Sequence, residues 1–413
     1  MSPALEGIKV IDVSQVAAVP MTARIMADFG ADVIHVEHPR SGDHFRGVLD
    51  GMSSTAGIKS DINYVWELYN RNKKGVTIDL SQEGGQKILY KMLEKADVFL
   101  TNLRPFELEK FDLEYETLNR LNPRLVAGFL TGYGKKGPER NNPAYDHTAY
   151  WARSGIPHRL RSLSPELQKP GAYPPAFVPA FGDHMAGMSL AYGVMMALFT
   201  RERTGQGEEV NVSLFHAGAY QLSFDVSGAL ATGNDCVERK SKKDTPNALI
   251  GQYQTKDKRW LLFCILRPER FWSNLCKAMG RGDLEHDPRF ESMEAMQKNH
   301  AELIEILDEV FLKKTLDEWK PLLNQAGLPW SPVQNLLEVT NDPQARANGV
   351  FVSYDHPTYG RFEGVASPIK LTNNPETMRM PAPEFSQHTE EVLLAHGYTW
   401  DDIVRFKDQG IIA

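Results

Sequence analysis

A single carboxylate, Asp183, follows a glycine in the stretch 181–188 (FGDHMAGM). The run 185–199 that follows is rich in alanine, methionine and leucine and carries no charge, which predicts a core helix. A proline-rich loop at 170–175 precedes it, and a basic, glycine-containing segment at 200–207 ends it. Because the first amides of a helix lack partners within it, we expect them to hold Asp183 ionised.

These residues alone allow two interpretations of Asp183. Aspartate is a common helix N-cap, and this role requires no ligand. A partly desolvated carboxylate beside a glycine, which lets a bulky ligand approach, can instead act as a nucleophile. The local pattern leaves both interpretations open.

Two further segments carry groups suited to ligand binding. The loop 132–138 (GYGKKGP) is glycine-rich and basic and follows a predicted strand, where open parallel sheets bind ligands, although a surface turn has the same composition. Shortly after it, Tyr145, Tyr150 and Trp151 surround the carboxylate of Asp146. Such a cluster suits either a packed core or the lining of an acyl pocket.

The composition is that of a globular protein of 413 residues, 42% hydrophobic and 24% charged, with room for two domains. A formal net charge of −7 argues against a nucleic-acid partner. Cys236, Cys264 and Cys276 show no metal-type spacing, so we expect neither a disulfide framework nor a metal site. With no signal sequence and no run long enough to cross a bilayer, we expect a cytoplasmic protein without membrane contact.

Strand and helix patterns alternate over the first 130 residues. A strand at 7–13, a proline-led helix at 20–30 and a strand at 31–37 form a βαβ unit. Further strands are expected at 75–80, 96–101 and 125–130. This alternation predicts an α/β fold with a doubly wound, Rossmann-like parallel sheet, although neither a dinucleotide-binding nor a P-loop motif is present.

The alternation stops after a strand at 208–215. A polar connection at 232–247 leads into a second pattern of strands and helices. We therefore predict a large Rossmann-like domain of residues 1–220 and 330–413 and a small α+β domain of residues 221–329. Helices between 386 and 404 are expected to pack back on the large domain.

Together, these segments resemble the class III CoA-transferases, the family of formyl-CoA, carnitine and phenyllactate CoA-transferases. The resemblance covers nearly the whole chain, and its strength lies in the order and spacing of segments that are individually weak. The matching segments are 5–12 (LEGIKVID), 29–37 (FGADVIHVE), 41–43 (SGD), 70–75 (NRNKKG), 96–98 (ADV), 121–126 (LNPRLV), 132–134 (GYG), 182–183 (GD) and 204–208 (TGQGE).

The resemblance implies that Asp183 is a nucleophile that attacks an acyl-CoA and then carries CoA as an aspartyl thioester. It also implies the CoA contacts, which are His38, Arg40, Asn102, Leu103, Lys110 and Phe111. His38 replaces an arginine of formyl-CoA transferase, so Arg40 is an alternative phosphate contact. CoA is expected as a substrate, with no tightly bound cofactor and no metal.

The substrate side departs from formyl-CoA transferase. Ala17 replaces a glutamine of that enzyme and opens apolar room, and Tyr145 and Asp146 are the other expected substrate contacts. The segment 248–253 (ALIGQY) stands in place of its glycine run, which argues against oxalate as acceptor. The segments 132–138 and 178–188 look most like the phenyllactate-type members, so we expect a larger arylalkyl or 2-hydroxy acid.

The same fold also hosts α-methylacyl-CoA racemases, whose basic histidine matches Tyr145 here. A phenol, with an ordinary pKa of about 10, is a poor base at neutral pH, which disfavours that alternative. The resemblance further implies an interlocked, ring-like homodimer. A heteromeric CoA-transferase, with this chain as one subunit, remains a further alternative.

Overall fold

The computed structural model describes residues 2–47, 60–169, 172 and 177–413. The chain divides into two compact units. The first comprises residues 1–157, 176–234 and 347–413, and the second comprises 158–175 and 235–346. Most of the predicted loop at 170–175, and residues 48–59 of the long polar loop between 40 and 66, lie outside the described residues.

A six-stranded, entirely parallel sheet forms the centre of the first unit, in the order β3-β2-β1-β4-β5-β6. The order reverses next to β1, as in a doubly wound fold, and confirms the predicted architecture. The strands are β1 (Lys9–Val13), β2 (Asp32–Glu37), β3 (Lys74–Thr77), β4 (Val98–Thr101), β5 (Val126–Thr131) and β6 (Glu209–Ser213).

Helices cover both faces of this sheet. Since neighbouring strand residues point to opposite faces, Ile11 joins one buried core and Val10 the other. The helices Glu83–Leu93, Thr389–Ala395 and Trp400–Asp408 contribute to the first core, so the C-terminal helices pack on the large unit as predicted. Within the described residues, further helices of this unit include Ala18–Asp28, Tyr64–Asn70, Pro105–Lys110, Tyr115–Leu121, Phe181–Thr204, Leu214–Gln221 and Ser223–Thr232, and a hairpin is formed by β10 (Phe351–His356) and β11 (Gly360–Val365).

The second unit is α+β. Its antiparallel sheet contains β7 (Ile250–Gln254), β8 (Trp260–Cys264) and β9 (Trp330–Pro332), and a separate hydrophobic core underlies it. Its helices include Pro268–Met279, Met293–Lys298, His300–Phe311, Leu316–Gln325, Leu336–Asn341 and Pro343–Ala347, and most residues of Ile156–Leu163 belong to it.

The unit boundaries differ from the predicted limits of 221–329. Helix Ser223–Thr232 belongs to the first unit, and 330–346 belongs to the second because β9 pairs with β8. The long helix Phe181–Thr204 also differs from the fully buried helix that was predicted. One side packs in the core through Leu190 and Val194, whereas Tyr192 and Phe199 are exposed on the other.

Candidate active site

A cavity of about 490 Å³ lies at the carboxyl ends of the parallel strands. In doubly wound folds this edge binds ligands, because the loops that leave the strands converge there. Its lining includes Val13, the last residue of β1, Ser14 directly after it, Gly132 after β5, and Tyr145.

Four of the six residues expected to contact CoA line this cavity, namely His38, Asn102, Leu103 and Phe111. The Nδ1 atom of His38 accepts hydrogen bonds from the backbone amides of Arg40 and Ser41, at 3.2 and 3.3 Å. The neutral ring therefore carries its proton on Nε2. Neither Arg40 nor Lys110 lines the cavity. Both are exposed, and the Lys110 Nζ lies 5.3 Å from the centre of the Phe111 ring.

Sequence reasoning missed three basic residues that line the cavity: His44, Arg104 and Arg140. Arg104 precedes helix Pro105–Lys110 and its Nε donates to Glu107 at 3.1 Å. Arg140 donates to Glu109 at 3.2 Å. The sequence did contain a signal for two of these three residues. Arg104 directly follows the predicted contact Leu103, and Arg140 lies just beyond the glycine-rich loop.

Neither lysine of that glycine-rich loop lines the cavity. Lys135 forms an ion pair with Glu209 and lies 4.8 Å from the centre of the Phe129 ring, and Lys136 is exposed. The cations that line the cavity therefore come from other segments.

A buried ionic cluster lies next to Ser14, one of the residues that line the cavity. Asp12 of β1 accepts bonds from His35 Nδ1 and Lys73 Nζ, both at 2.9 Å, and all three side chains are fully buried. Burial alone opposes ionisation of Asp12, but the charges of Lys73 and His35 outweigh it and lower its pKa. Ser14, which lines the cavity, donates to the same carboxylate and is thereby fixed in place.

Asp183 is the third residue of the long helix, whose N-cap is Ala180. Ala180 has the left-handed φ of 59° and provides no side-chain cap, so the interpretation of Asp183 as an N-cap is wrong. The expectation that the helix amides keep Asp183 ionised is also wrong. Burial raises its pKa to about 7, and the negative charge of Asp146 adds to the effect.

Asp146 fixes the backbone on which Asp183 stands. It begins a π-helical segment, Asp146–Ala152, is only 4% exposed, and its Oδ1 accepts the amide of Gly182 at 3.1 Å. Burial raises the pKa of Asp146 to about 6, although the Gly182 amide and the Trp151 indole oppose that rise. A Cβ on Gly182 would lie 2.2 Å from both Asp146 Oδ1 and Tyr150 Cγ, so only glycine fits this contact.

At two places in the chain, one residue lines the cavity and the next residue is buried against residues close in sequence to Asp183. Tyr145 is 65% exposed and lines the cavity, while the next residue, Asp146, turns inward to Gly182. Val16 lines the cavity, while the next residue, Ala17, is buried in a cluster that includes Tyr69 and Ala180. Of the predicted substrate residues, Tyr145 therefore lines the cavity, Asp146 binds the residue before Asp183, and Ala17 is buried in a hydrophobic cluster. Asp183 itself is not among the residues that line the cavity.

A hydrogen-bonded, uncharged pair stands beside Asp183. The Tyr69 hydroxyl and His184 Nε2 are 2.8 Å apart. Burial lowers the pKa of His184, with a small contribution from the Arg24 charge, so its ring is neutral near pH 7. Burial, reinforced by the charge of Asp183, raises the pKa of Tyr69. No part of this pair was anticipated from the sequence.

Aromatic rings form a wall next to Asp183. His147 stacks on Phe177 with ring centres 4.9 Å apart. Trp151 lies 5.7 Å from both Phe177 and Phe181, and the last two rings are partly exposed. Through Phe181, this wall packs at the first residue of the helix that carries Asp183.

The chain belongs to CoA-transferase family III, since the model of that family matches residues 5–389. It is therefore an enzyme that transfers CoA between acyl-CoA thioesters and acids. It is 36% identical over 410 residues to the (R)-2-hydroxy-4-methylpentanoate CoA-transferase of Clostridioides difficile, covering 99% of each chain. It is also 36% identical to the cinnamoyl-CoA:phenyllactate CoA-transferase of Clostridium sporogenes, covering 98% of this chain and 97% of that protein.

The fold agrees with this assignment. A CAIB/BAIF family protein from Brucella suis superposes with a TM-score of 0.79 at 25% identity, over 96% of this chain and all of that one. Among the residues that the structure describes, none of the helices combines the length and apolarity needed to cross a membrane.

Proposed function

We propose that Asp183 is the nucleophile of this CoA-transferase and carries CoA as an aspartyl thioester. A carboxylate oxygen of Asp183 attacks the thioester carbonyl of the donor and expels CoA thiolate, leaving an acyl–aspartyl anhydride. The thiolate then attacks the side-chain carbonyl of Asp183 and expels the donor's carboxylate. An acceptor carboxylate reverses both steps, so that Asp183 is regenerated and no external energy source is consumed.

The observation that carries this proposal is the position of Asp183 itself. The amide of Gly182, directly before Asp183, is bound by Asp146, and the residue before Asp146 is Tyr145, which lines the cavity. A pKa of about 7 leaves a large fraction ionised at neutral pH. Partial burial also strips water from that carboxylate, which favours attack on a thioester.

The cavity is the proposed CoA site. CoA carries several phosphate groups, and the chain as a whole is acidic, so its affinity for CoA depends on local cations and hydrogen-bond donors. His38, His44, Arg104 and Arg140 supply these at the cavity, alongside the predicted contacts Asn102, Leu103 and Phe111. Arg40 and Lys110 lie outside the lining and remain predicted contacts at its exterior.

The proposed acceptor is a 2-hydroxy acid with a branched or aromatic side chain. The two relatives at 36% identity are both named for such acids, 2-hydroxy-4-methylpentanoate and phenyllactate. The wall of Trp151, Phe177 and Phe181 offers apolar contact at the start of the helix that carries Asp183, and Ala17 is buried in a hydrophobic cluster that includes Tyr69 and Ala180. A methylene more or less in such a pocket changes binding by about 1–3 kcal/mol, so the wall can select among acids.

A second copy of the chain is the proposed partner, consistent with the interlocked dimer implied by the family resemblance. The long helix presents a stripe of exposed apolar side chains: Met188, Tyr192, Met196 and Phe199. Helix Ser223–Thr232 adds the exposed Phe224 and Leu230. Burial of this surface by a second copy would remove it from water. Light scattering coupled to size exclusion would give a dimer mass if this is correct.

An acyl-exchange assay tests the proposed reaction. Cinnamoyl-CoA and butyryl-CoA would each be incubated with phenyllactate, 2-hydroxy-4-methylpentanoate, malate or oxalate, and new thioesters would be separated by chromatography. We expect transfer to the first two acids and none by Asp183→Asn. Undiminished transfer by Asp183→Asn would refute the proposed nucleophile. Transfer confined to oxalate would refute the proposed class of acceptor.

A further inference from the structure

Three groups that bind metals, His158, Asp235 and Cys236, converge on the surface of the second unit. Their ligand atoms all lie within 4.8 Å of one another. The Nε2 atom of His158 is 3.0 Å from Asp235 Oδ2 and 3.6 Å from Cys236 Sγ. His158 and Asp235 are 77 positions apart, which is why cysteine spacing in the sequence gave no sign of a metal site.

These separations match the edges of a tetrahedral zinc site. With Zn–S near 2.3 Å and Zn–N or Zn–O near 2.0–2.1 Å, a tetrahedron has a sulfur–nitrogen edge of about 3.5 Å and a nitrogen–oxygen edge of about 3.3 Å. The observed 3.6 and 3.0 Å are close to both. A single ion could therefore contact all three atoms with only small side-chain adjustments.

The direction of the contacts also favours a metal over a catalytic cysteine. In a Cys-His-Asp relay, the carboxylate binds one ring nitrogen of histidine and the cysteine faces the other. Here Asp235 and Cys236 both face Nε2 of His158. In such a relay the two groups lie on opposite sides of the ring, so this arrangement does not match it, whereas a cation placed between the three atoms interacts with each.

The surroundings hold the ligands in place. The Oδ1 atom of Asp235 accepts the amide of Cys236 at 2.7 Å, which leaves Oδ2 directed at His158. The two chain segments are joined by a bond of 2.8 Å from the Arg239 amide to the Ser162 carbonyl. Ser162 Oγ lies 3.4 Å from Cys236 Sγ and would accept a hydrogen bond from a thiol or donate one to a thiolate.

We propose that His158, Asp235 and Cys236 bind one thiophilic divalent cation of the zinc type, with water in the fourth position. The ion would tie helix Ile156–Leu163 to the segment that begins at Asp235, both within the second unit. Because binding requires a neutral imidazole and a thiolate, the affinity falls as pH is lowered. This proposal is independent of the transferase reaction.

Cobalt titration of the full-length, chelator-treated protein tests the site, because Co²⁺ replaces Zn²⁺ and is visible. We expect one equivalent to give visible bands of tetrahedral Co²⁺ and a near-ultraviolet thiolate charge-transfer band, both removed by added Zn²⁺. Cys236→Ser should abolish the charge-transfer band. His158→Ala should raise the dissociation constant for Co²⁺ at least about tenfold. Loss of a residue that merely supports a metal ligand already costs about that much, and loss of the ligand itself should cost no less.

The exposed Cys264 of β8 provides the matched control, since it lies in a strand away from these ligands. Cys264→Ser should bind Co²⁺ like the unmodified protein. Zn²⁺ should also protect Cys236, but not Cys264, from alkylation by iodoacetamide. Absence of a charge-transfer band in the unmodified protein, or its persistence in Cys236→Ser with loss in Cys264→Ser, would overturn the proposal.

Discussion

The carboxylate of Asp146 accepts a hydrogen bond of 3.1 Å from the amide of Gly182, the residue directly before Asp183. One contact thus fixes the backbone of the proposed nucleophile and places a second carboxylate near it. Because like charges disfavour each other's ionisation, the ionisation of Asp146 raises the pKa of Asp183 beyond the effect of burial. The pKa of Asp183 therefore depends on the charge of Asp146 as well as on burial.

Asp146→Asn should shift the acid limb of the kcat/KM profile to lower pH. The amide oxygen can still accept the Gly182 bond, but the negative charge that raises the pKa of Asp183 is gone. A pH series of transfer rates measures the shift. Asp146→Ala, which loses the bond as well, should also lower kcat. A profile for Asp146→Asn that superimposes on that of the unmodified enzyme would contradict this coupling.

Gly182→Ala should destabilise the protein by about 1–3 kcal/mol and strongly reduce transfer. The added methyl would lie 2.2 Å from Asp146 Oδ1 and from Tyr150 Cγ, and neither group can move freely in the core. Chemical denaturation measures the loss. Gly282→Ala is the control, because Gly282 begins the short helix Gly282–Leu284 of the second unit with nothing within 4 Å of an added Cβ, and the substitution should be neutral or stabilising. Equal effects of the two substitutions would contradict the proposed close fit.

Asp183→Asn should be more stable than the unmodified protein above pH 7. The pKa of Asp183 rises from 3.8 to about 7 on folding, so the folded state holds a proton that the unfolded chain releases. Between about pH 4 and 7 the unmodified protein therefore loses stability as pH rises, and asparagine does not titrate. We expect the advantage of asparagine to grow over this window by on the order of 4 kcal/mol, since each unit of pKa difference corresponds to about 1.4 kcal/mol.

Urea denaturation of both proteins at pH 4.5 and pH 8 measures this difference. Groups that titrate in the same way in both proteins cancel when their free energies of unfolding are subtracted. The change of the difference with pH therefore reports Asp183 alone. An advantage of the same size at both pH values would show that the pKa of Asp183 is not raised in the folded protein.

Arg140→Ala should raise KM for acyl-CoA about tenfold with little change in kcat, because a hydrogen bond to a charged phosphate contributes about 1.5–3 kcal/mol. The KM of the variant should also depend less on salt. Lys135→Ala is the matched control, since that lysine pairs with Glu209 outside the cavity and should change KM less than twofold, on the order of the 0–1 kcal/mol of surface pairs. Equal KM changes in the two variants would place the CoA phosphates elsewhere.

The fold could be predicted because its signals are local. The strands at 7–13 and 31–37 and the intervening helix each show the periodicity of a buried element, and short parallel connections leave few alternative arrangements. The boundaries of the second unit were less predictable. The pairing of β9 with β8 joins residues about 70 positions apart, and no local pattern reports such a contact.

The candidate site was predicted only in part. Asp183 stood out through its glycine and the helix after it, but its protonation depends on burial and on Asp146, 37 positions earlier, and this required the structure. Lys135 and Arg140 show the same limit. Both are basic residues in or near one glycine-rich loop, yet only Arg140 lines the cavity, because Glu209 of β6 binds Lys135.

Trapping of the covalent intermediate tests the central claim most directly. The enzyme would be mixed with cinnamoyl-CoA and quenched with hydroxylamine, which converts an aspartyl thioester into a hydroxamate, and the peptide with Asp183 would be examined by mass spectrometry. We predict a hydroxamate on Asp183 that is lost when phenyllactate is added before the quench, and none in Asp183→Asn. An unmodified Asp183 with every acyl-CoA, together with deuterium uptake at the α-carbon of a 2-methylacyl-CoA, would contradict the account and favour a racemase.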